Sequence, residues 1–148
     1  MELDTTDHAI LNVLVKNSRL SFREIAKQVH VSVATVLHRV RAMEKAYVIQ
    51  GYTTRLNYEL LGYDVQAIIE LRVSNGKLLE VEKRISKHPN VCALYDITGD
   101  SDAILVTKFK SRRELDAFVK KIQSYEFVER TYTKLILNLI KEDQVELF

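Results

Sequence analysis

The sequence has little cysteine, no long apolar run and almost no net charge. Its single cysteine, Cys92, cannot close an intramolecular disulfide, which excludes a fold framed by such bridges. Cys92 lies in the apolar run VCALYDI with no histidine arranged near it in a nucleophile signature, so a small core residue is expected there. No stretch approaches the roughly 20 apolar residues of a membrane span. The opening MELDTTDHAI is acidic and lacks the basic and apolar regions of a secretory signal; the cytoplasm is the expected location. The balance of 22 basic against 20 acidic residues, net +2, neither demands nor excludes a nucleic acid partner. The distribution of charge matters more than its sum. The four histidines, His8, His30, His38 and His88, show neither metal-ligand spacing nor a neighbouring nucleophile, so no metal, cofactor or catalytic residue is expected.

What is present is ordinary globular composition, 47% hydrophobic and 28% charged over 148 residues, enough for one domain or two small ones. Residues 3–17 place Ile10, Leu11 and Leu14 at helical spacing behind Asp4 as an N-cap, with Asp7 in the first turn. Ser21 and Glu24 have capping-box spacing, and Leu20 and Ile25 flank them as a hydrophobic staple, which predicts a second helix. Ser32 repeats the device with Val31 and Val36 and opens a third helix through about Ala46.

Only three or four residues separate the second and third helices. A connection so short between capped helices forces a steep crossing, the helix-turn-helix arrangement. On the third helix Val33, Val36, Val40 and Met43 are expected to line one face, leaving Ala34, Thr35, His38, Arg41 and Lys45 opposite and Arg39 near the margin. That outer face is basic, narrow and without bulky apolar groups. Major-groove binding is the reading that capping, turn length and face chemistry favour together; a solvated basic edge on a pair of core helices is the alternative.

Residues 48–63 carry Gly51 and Gly62 around a β-like segment and read as a connector. The expected organisation is a helix-turn-helix domain over 1–48, a β connector over 49–63 and a second domain over 64–148. In that second domain the pattern runs strand (65–73), helix (KLLEVEKRISKH), strand (NVCALYDI), strand (102–109), helix (112–123), strand (131–140). A β-α-β-β-α-β order predicts a ferredoxin-like α+β sandwich with both helices on one face of the sheet. Ile68, Leu94, Ile104, Val106 and Ile136 are expected on the other face, where an uncovered apolar surface calls for a partner, most simply the same sheet of a second subunit.

With both halves read, the chain resembles the Lrp/AsnC family, the leucine-responsive or feast/famine transcriptional regulators. The resemblance is carried by LDTTDHAIL, by SFREIAKQVHVSVATVLHRVRAMEKAYVIQGY, by LGY at 61–63 and by TGDSD between the middle strands, in that order and spacing. It implies a DNA-binding domain, a ferredoxin-like effector and assembly domain, and homodimers that join into octamers. It also implies a small-molecule effector, commonly an amino acid, bound between dimers. Carried over, the DNA-facing positions are Ser32, Ala34, Thr35, His38, Arg39 and Arg41, and the effector-side positions are Gly99, Asp100, Ser101 and Asp102. Three positions depart from the family pattern: His30 and Tyr47 stand where glycine is usual, and Ser101 where an aromatic residue is common. Histidine tolerates left-handed backbone better than most residues, so the turn at His30 is expected to form.

Three further readings stay open beside this one. TGDSD is also an ordinary hairpin turn; as a ligand loop, its amides would hold a carboxylate while Asp100 or Asp102 meets an ammonium group. The DNA-binding half would also suit an architectural protein of low sequence choice that grips phosphates through Arg39, Arg41, Lys45, Arg23 and Lys27. Sirohaem decarboxylases resemble the same two-domain architecture, but only His88 falls in the second domain to serve such an enzyme.

Overall fold

The computed structural model describes residues 2–147. They form two compact units, one running through Arg55 and taking in the segment from Lys141, the other spanning Leu56–Ile140. In the first, α1 is Thr5–Lys16, α2 Phe22–Val29 and α3 Val33–Lys45. Each start is capped as the sequence predicts. Asp4 and Asp7 exchange a capping box at 2.9 and 3.1 Å, Ser21 and Glu24 another, and Ser32 Oγ accepts from the Thr35 amide at 3.0 Å. Such caps satisfy amides that helix geometry leaves without partners.

The ends of α2 and α3 are closed by left-handed residues, His30 at φ 56 and Tyr47 at φ 57. After α3, the amides of Tyr47 and Val48 reach back to the carbonyls of Glu44 and Met43 at 3.1 and 2.9 Å, the paired bonds of a Schellman motif. Ile10, Leu11, Leu14, Ile25, Ala26, Val36, Val40 and Met43 make the core of this unit. Val33, expected in that stripe, is instead 44% exposed. As the first residue of α3 it lies beyond the packed part of the helix.

The second unit contains β1 (Val65–Val73), α4 (Leu78–Ile85), β2 (Val91–Asp96), β3 (Ala103–Phe109), α5 (Arg112–Gln123) and β4 (Val128–Leu135). The strand order is β2-β3-β1-β4 with every neighbouring pair antiparallel, as the ferredoxin-like arrangement requires. Ala67, Ile69, Leu71 and Val73 of β1, with Ala103, Leu105 and Phe109 of β3, pack against Val81, Ile85, Leu115, Phe118 and Ile122 of the helices.

Four further expectations are corrected. The connector holds no strand: residues 50–57 lack regular structure, and a turn at 58–62 follows, because an extended segment without a ladder partner has nothing to satisfy its amides. Strand β4 begins at Val128 and ends at Leu135, not 131–140. Its pairing runs from Val73 to Ala67 of β1, with one further bond from the Ile136 amide to Gln66; β1 begins at Val65, so residues 138–140 have no strand residue opposite them, and Leu137 and Ile140 are almost fully exposed. In β2 the register shifts between Val91 and Ala93. The extra residue turns Leu94 toward the helices, opposite Leu105, and leaves Cys92 exposed, the reverse of both expectations.

Candidate functional site

The outer side of α3 is the first surface with distinctive chemistry. Ala34, His38, Arg41 and Lys45 are all exposed, and at about 100° per residue they fall on one line along the helix. Ser32 is exposed at the N-cap, and its hydroxyl contacts the half-buried Thr35 hydroxyl at 2.8 Å. Arg23 and Lys27 of α2 are exposed too. The first-turn amides, the hydroxyl pair and the cations together form a surface of donors on a face without large apolar groups.

Arg39 is placed differently. Its Nη1 donates to Asp4 Oδ2 at 2.5 Å and to Asp7 Oδ2 at 3.0 Å. Asp7 is 1% exposed. The hydrogen bonds to Asp4 and Asp7 raise the guanidinium above its usual range, while the Asp7 amide and then Arg39 hold the Asp4 carboxyl below its own. Asp4 and Asp7 are visible in the sequence as a cap and a first-turn acid, but their reach to a helix 32 residues on is not.

The second surface is the loop between β2 and β3. Gly99 takes φ 118; Gly99 and Asp100 are exposed residues, and their amides donate to no acceptor among the described residues. Asp100 is exposed, and its carbonyl accepts from Arg72 Nη1 at 3.1 Å. Ser101 is 5% exposed and its hydroxyl points to Glu70 Oε2 at 3.4 Å. Lys134 pairs with Glu70 and lowers its carboxyl. Asp102 is engaged internally: Oδ2 accepts from the Val73 amide at 2.7 Å and its own amide donates to Leu71. Gly99, Asp100, Ser101 and Asp102 thus share one loop, with Gly99 and Asp100 turned outward and the last two inward.

The side of the sheet away from its helices carries Ile68, Ala93, Ile104 and Val106, all half-buried, beside the exposed Tyr95 and Tyr132. Cross-strand pairing sets Ile68 against Val106 and Ile104 against Tyr95, and Ile136 follows on the same side through its bond to Gln66. His88 packs against Phe118 with the rings tilted and their centroids 4.5 Å apart, and burial lowers its pKa. It serves the packing of the second unit. Among the described residues no group of histidine, cysteine and carboxylate side chains could hold a metal, and no helix is long and apolar enough to cross a membrane.

Comparison with known proteins covers both units. Residues 3–44 match the model of the AsnC-type helix-turn-helix domain, and residues 66–146 that of the Lrp/AsnC ligand binding domain. An uncharacterized HTH-type transcriptional regulator of Pyrococcus furiosus is 44% identical over 143 residues, covering 97% of each chain. Among solved structures, E. coli AsnC superposes with a TM-score of 0.91 at 26% identity over 99% of this chain and 100% of that one. A transcriptional regulator of Neisseria meningitidis, solved as a complex with L-methionine, gives 0.89 at 27% identity over 99% and 96%.

Proposed function

The chain belongs to the Lrp/AsnC family of helix-turn-helix transcriptional regulators, and from that premise we propose that α3 enters the major groove while α2 braces it across the backbone. The exposed row Ala34, His38, Arg41 and Lys45 on a capped helix carries the reading. Arg41 and His38 reach base edges or phosphates, Ser32, Thr35 and the first-turn amides anchor a phosphate, and Ala34 lets the helix approach closely. The functional division falls at the connector, 49–63, with DNA binding in residues 1–48 and effector binding and assembly beyond it. No catalytic role is assigned to any residue, and a cytoplasmic working location accords with binding to duplex DNA.

The open apolar face of the sheet supports a homodimer formed across it, with further assembly to an octamer. Two α3 helices about one DNA turn apart, ~34 Å or a multiple, would follow from that symmetry. The effector is an amino acid held at the loop after β2. The amides of Gly99 and Asp100, which have no acceptor among the described residues, suit its carboxylate, and the exposed Asp100 suits its ammonium group better than Asp102, whose carboxylate is engaged by Val73. A ligand that binds one assembly better than another shifts which operators are occupied.

Selection of duplexes from a random pool at about 0.15 M salt, where non-specific binding is weakened, tests the reading. Enrichment of a palindrome with half-sites about one turn apart is expected. Retention of DNA with no common motif would favour an architectural protein, and no retention would sink DNA binding. Calorimetric titration with the twenty amino acids tests the effector; no heat from any of them would remove it.

A further inference from the structure

We propose that Arg39 is a positioning residue of α3 and not one of its DNA contacts. Asp4 and Asp7, at the start of α1, hold it so that the row Ala34, His38, Arg41 and Lys45 is the face turned outward. The inference rests on the DNA-binding reading of that row.

Three observations carry it. First, Arg39 lies roughly 100° round the helix from His38 and roughly 160° from Arg41, on the flank beside the core stripe. It is off the outward line. Second, its Nη1 is shared between two carboxylates at 2.5 and 3.0 Å, and one of them, Asp7, is 1% exposed. Asp7 Oδ2 has only the Asp4 amide as its other partner, and Oδ1 has none among the described residues. Swinging Arg39 out to a phosphate would leave a buried carboxylate without its cation, which costs far more than an exposed phosphate contact returns. Third, two carboxylates around one guanidinium leave the cluster net negative, so it repels a phosphate where Arg41 attracts one. Arg41 is exposed and makes no ion pair among the described residues.

The role is one of orientation. The ion pairs tie the middle of α3 to the N-terminus of α1 and fix the rotation of α3 about its own axis. A helix that reads base edges depends on that rotation, because a turn of a few tens of degrees takes side chains off their partners.

The test is binding to a duplex selected by the wild-type protein, measured across a salt series for wild type, Arg39→Gln and Arg41→Gln. Arg41→Gln is expected to lower the slope of log affinity against log salt by about 0.9, one phosphate's worth. Arg39→Gln is expected to lose about tenfold in affinity at every salt concentration with the slope unchanged. In Asp7→Asn/Arg39→Gln part of that loss should return, since the stranded charge is gone. A slope flattened by Arg39→Gln as by Arg41→Gln, undiminished affinity, or no recovery in the double variant would overturn the proposal. If Arg39→Gln fails to fold, Arg39→Lys decides: it keeps a cation for a phosphate but not the guanidinium shared by two carboxylates, so affinity should fall with the slope intact. Full affinity in Arg39→Lys would overturn the proposal. Should the wild-type chain retain no duplex, the DNA-binding reading falls by itself. The clamp is then judged by amide exchange, which Arg39→Gln must speed in α1 and α3 while Arg41→Gln does not; equal rates in both variants would sink it.

Discussion

His30 and Tyr47 stand at φ 56 and 57, where a side chain crowds its own backbone and glycine does not. His30 follows α2 and Tyr47 follows α3, and Tyr47 is 80% exposed, so little packing opposes its removal. Tyr47→Gly is expected to stabilise the first unit by about 0.5–1 kcal/mol, relief of the strain outweighing the greater freedom of glycine in the unfolded chain. A higher midpoint in urea would show it, and a lower one would mean the ring contributes more than its exposure indicates. Glu82 is a different strained residue. Burial first, and then the Asp96 carboxylate, push its pKa from an ordinary 4.5 to about 7, and its Oε1 has no partner among the described residues. Between those pH values the folded chain holds more protons than the unfolded one, so this group's stability is full below about pH 4.5 and is lost as pH rises through about 7. Glu82→Gln should therefore match wild type near pH 4 and exceed it at pH 8 by on the order of 1 kcal/mol. Equal stability of the two proteins at pH 8 would show that Glu82 ionises without penalty.

At the scale of elements, what the sequence makes legible is what is local. Helix starts follow from Asp4, Ser21 and Ser32, because a cap and its amide lie within three residues of each other. The core face of β1 follows from alternation, since Ala67, Ile69, Leu71 and Val73 keep the period of two. Strand β2 breaks that period. Val91 and Leu94 have opposite parity and both pack toward the helices, which only the inserted residue at the register shift permits. Nothing in the string VCALYD marks where that residue sits. The candidate loop is legible as Gly99, Asp100, Ser101 and Asp102, but its division of labour is not, because Asp102 is claimed by an amide 29 residues earlier. That amide belongs to Val73, at the second register shift, between Arg72 and Val73. Asp102→Ala would strip the bulge of its acceptor and is expected to cost about 1–3 kcal/mol in the second unit. Asp102→Asn, which keeps a carbonyl acceptor, should cost less. Amide exchange at Val73 separates the cases: it should quicken strongly in the alanine variant, and unchanged exchange there would assign the 2.7 Å contact no part in holding the bulge.

Across the whole molecule the backbone passes between the two units twice, at Arg55–Leu56 and again at Ile140–Lys141. The organisation expected from the sequence, with 64–148 as one domain, implies a single crossing and leaves the chain after the last strand with that second domain. Instead it belongs to the first unit. Arg55 and Asp143 pair at 2.7 Å, Lys16 and Glu146 at 3.5 Å, and the Asn12 amide exchanges two bonds with the backbone of Leu147, at 2.7 and 2.9 Å. Leu147 also packs against the core of the three helices. The two ion pairs are exposed and contribute little; the Asn12 bonds and the leucine side chain supply most of the attachment, together about 1–3 kcal/mol. Removing residues 141–148 is therefore expected to destabilise the first unit by that order while β1 and β3 keep their protection. Amide exchange resolves the two units within one sample. Faster exchange confined to α1 and its neighbours would establish the tail as part of the helical unit. If loss of the tail left α1 unchanged, the bonds to Asn12 would contribute nothing to its stability. Asn12→Ala gives the independent check: it removes both side-chain partners of Leu147 without shortening the chain, so it should reproduce part of the same loss.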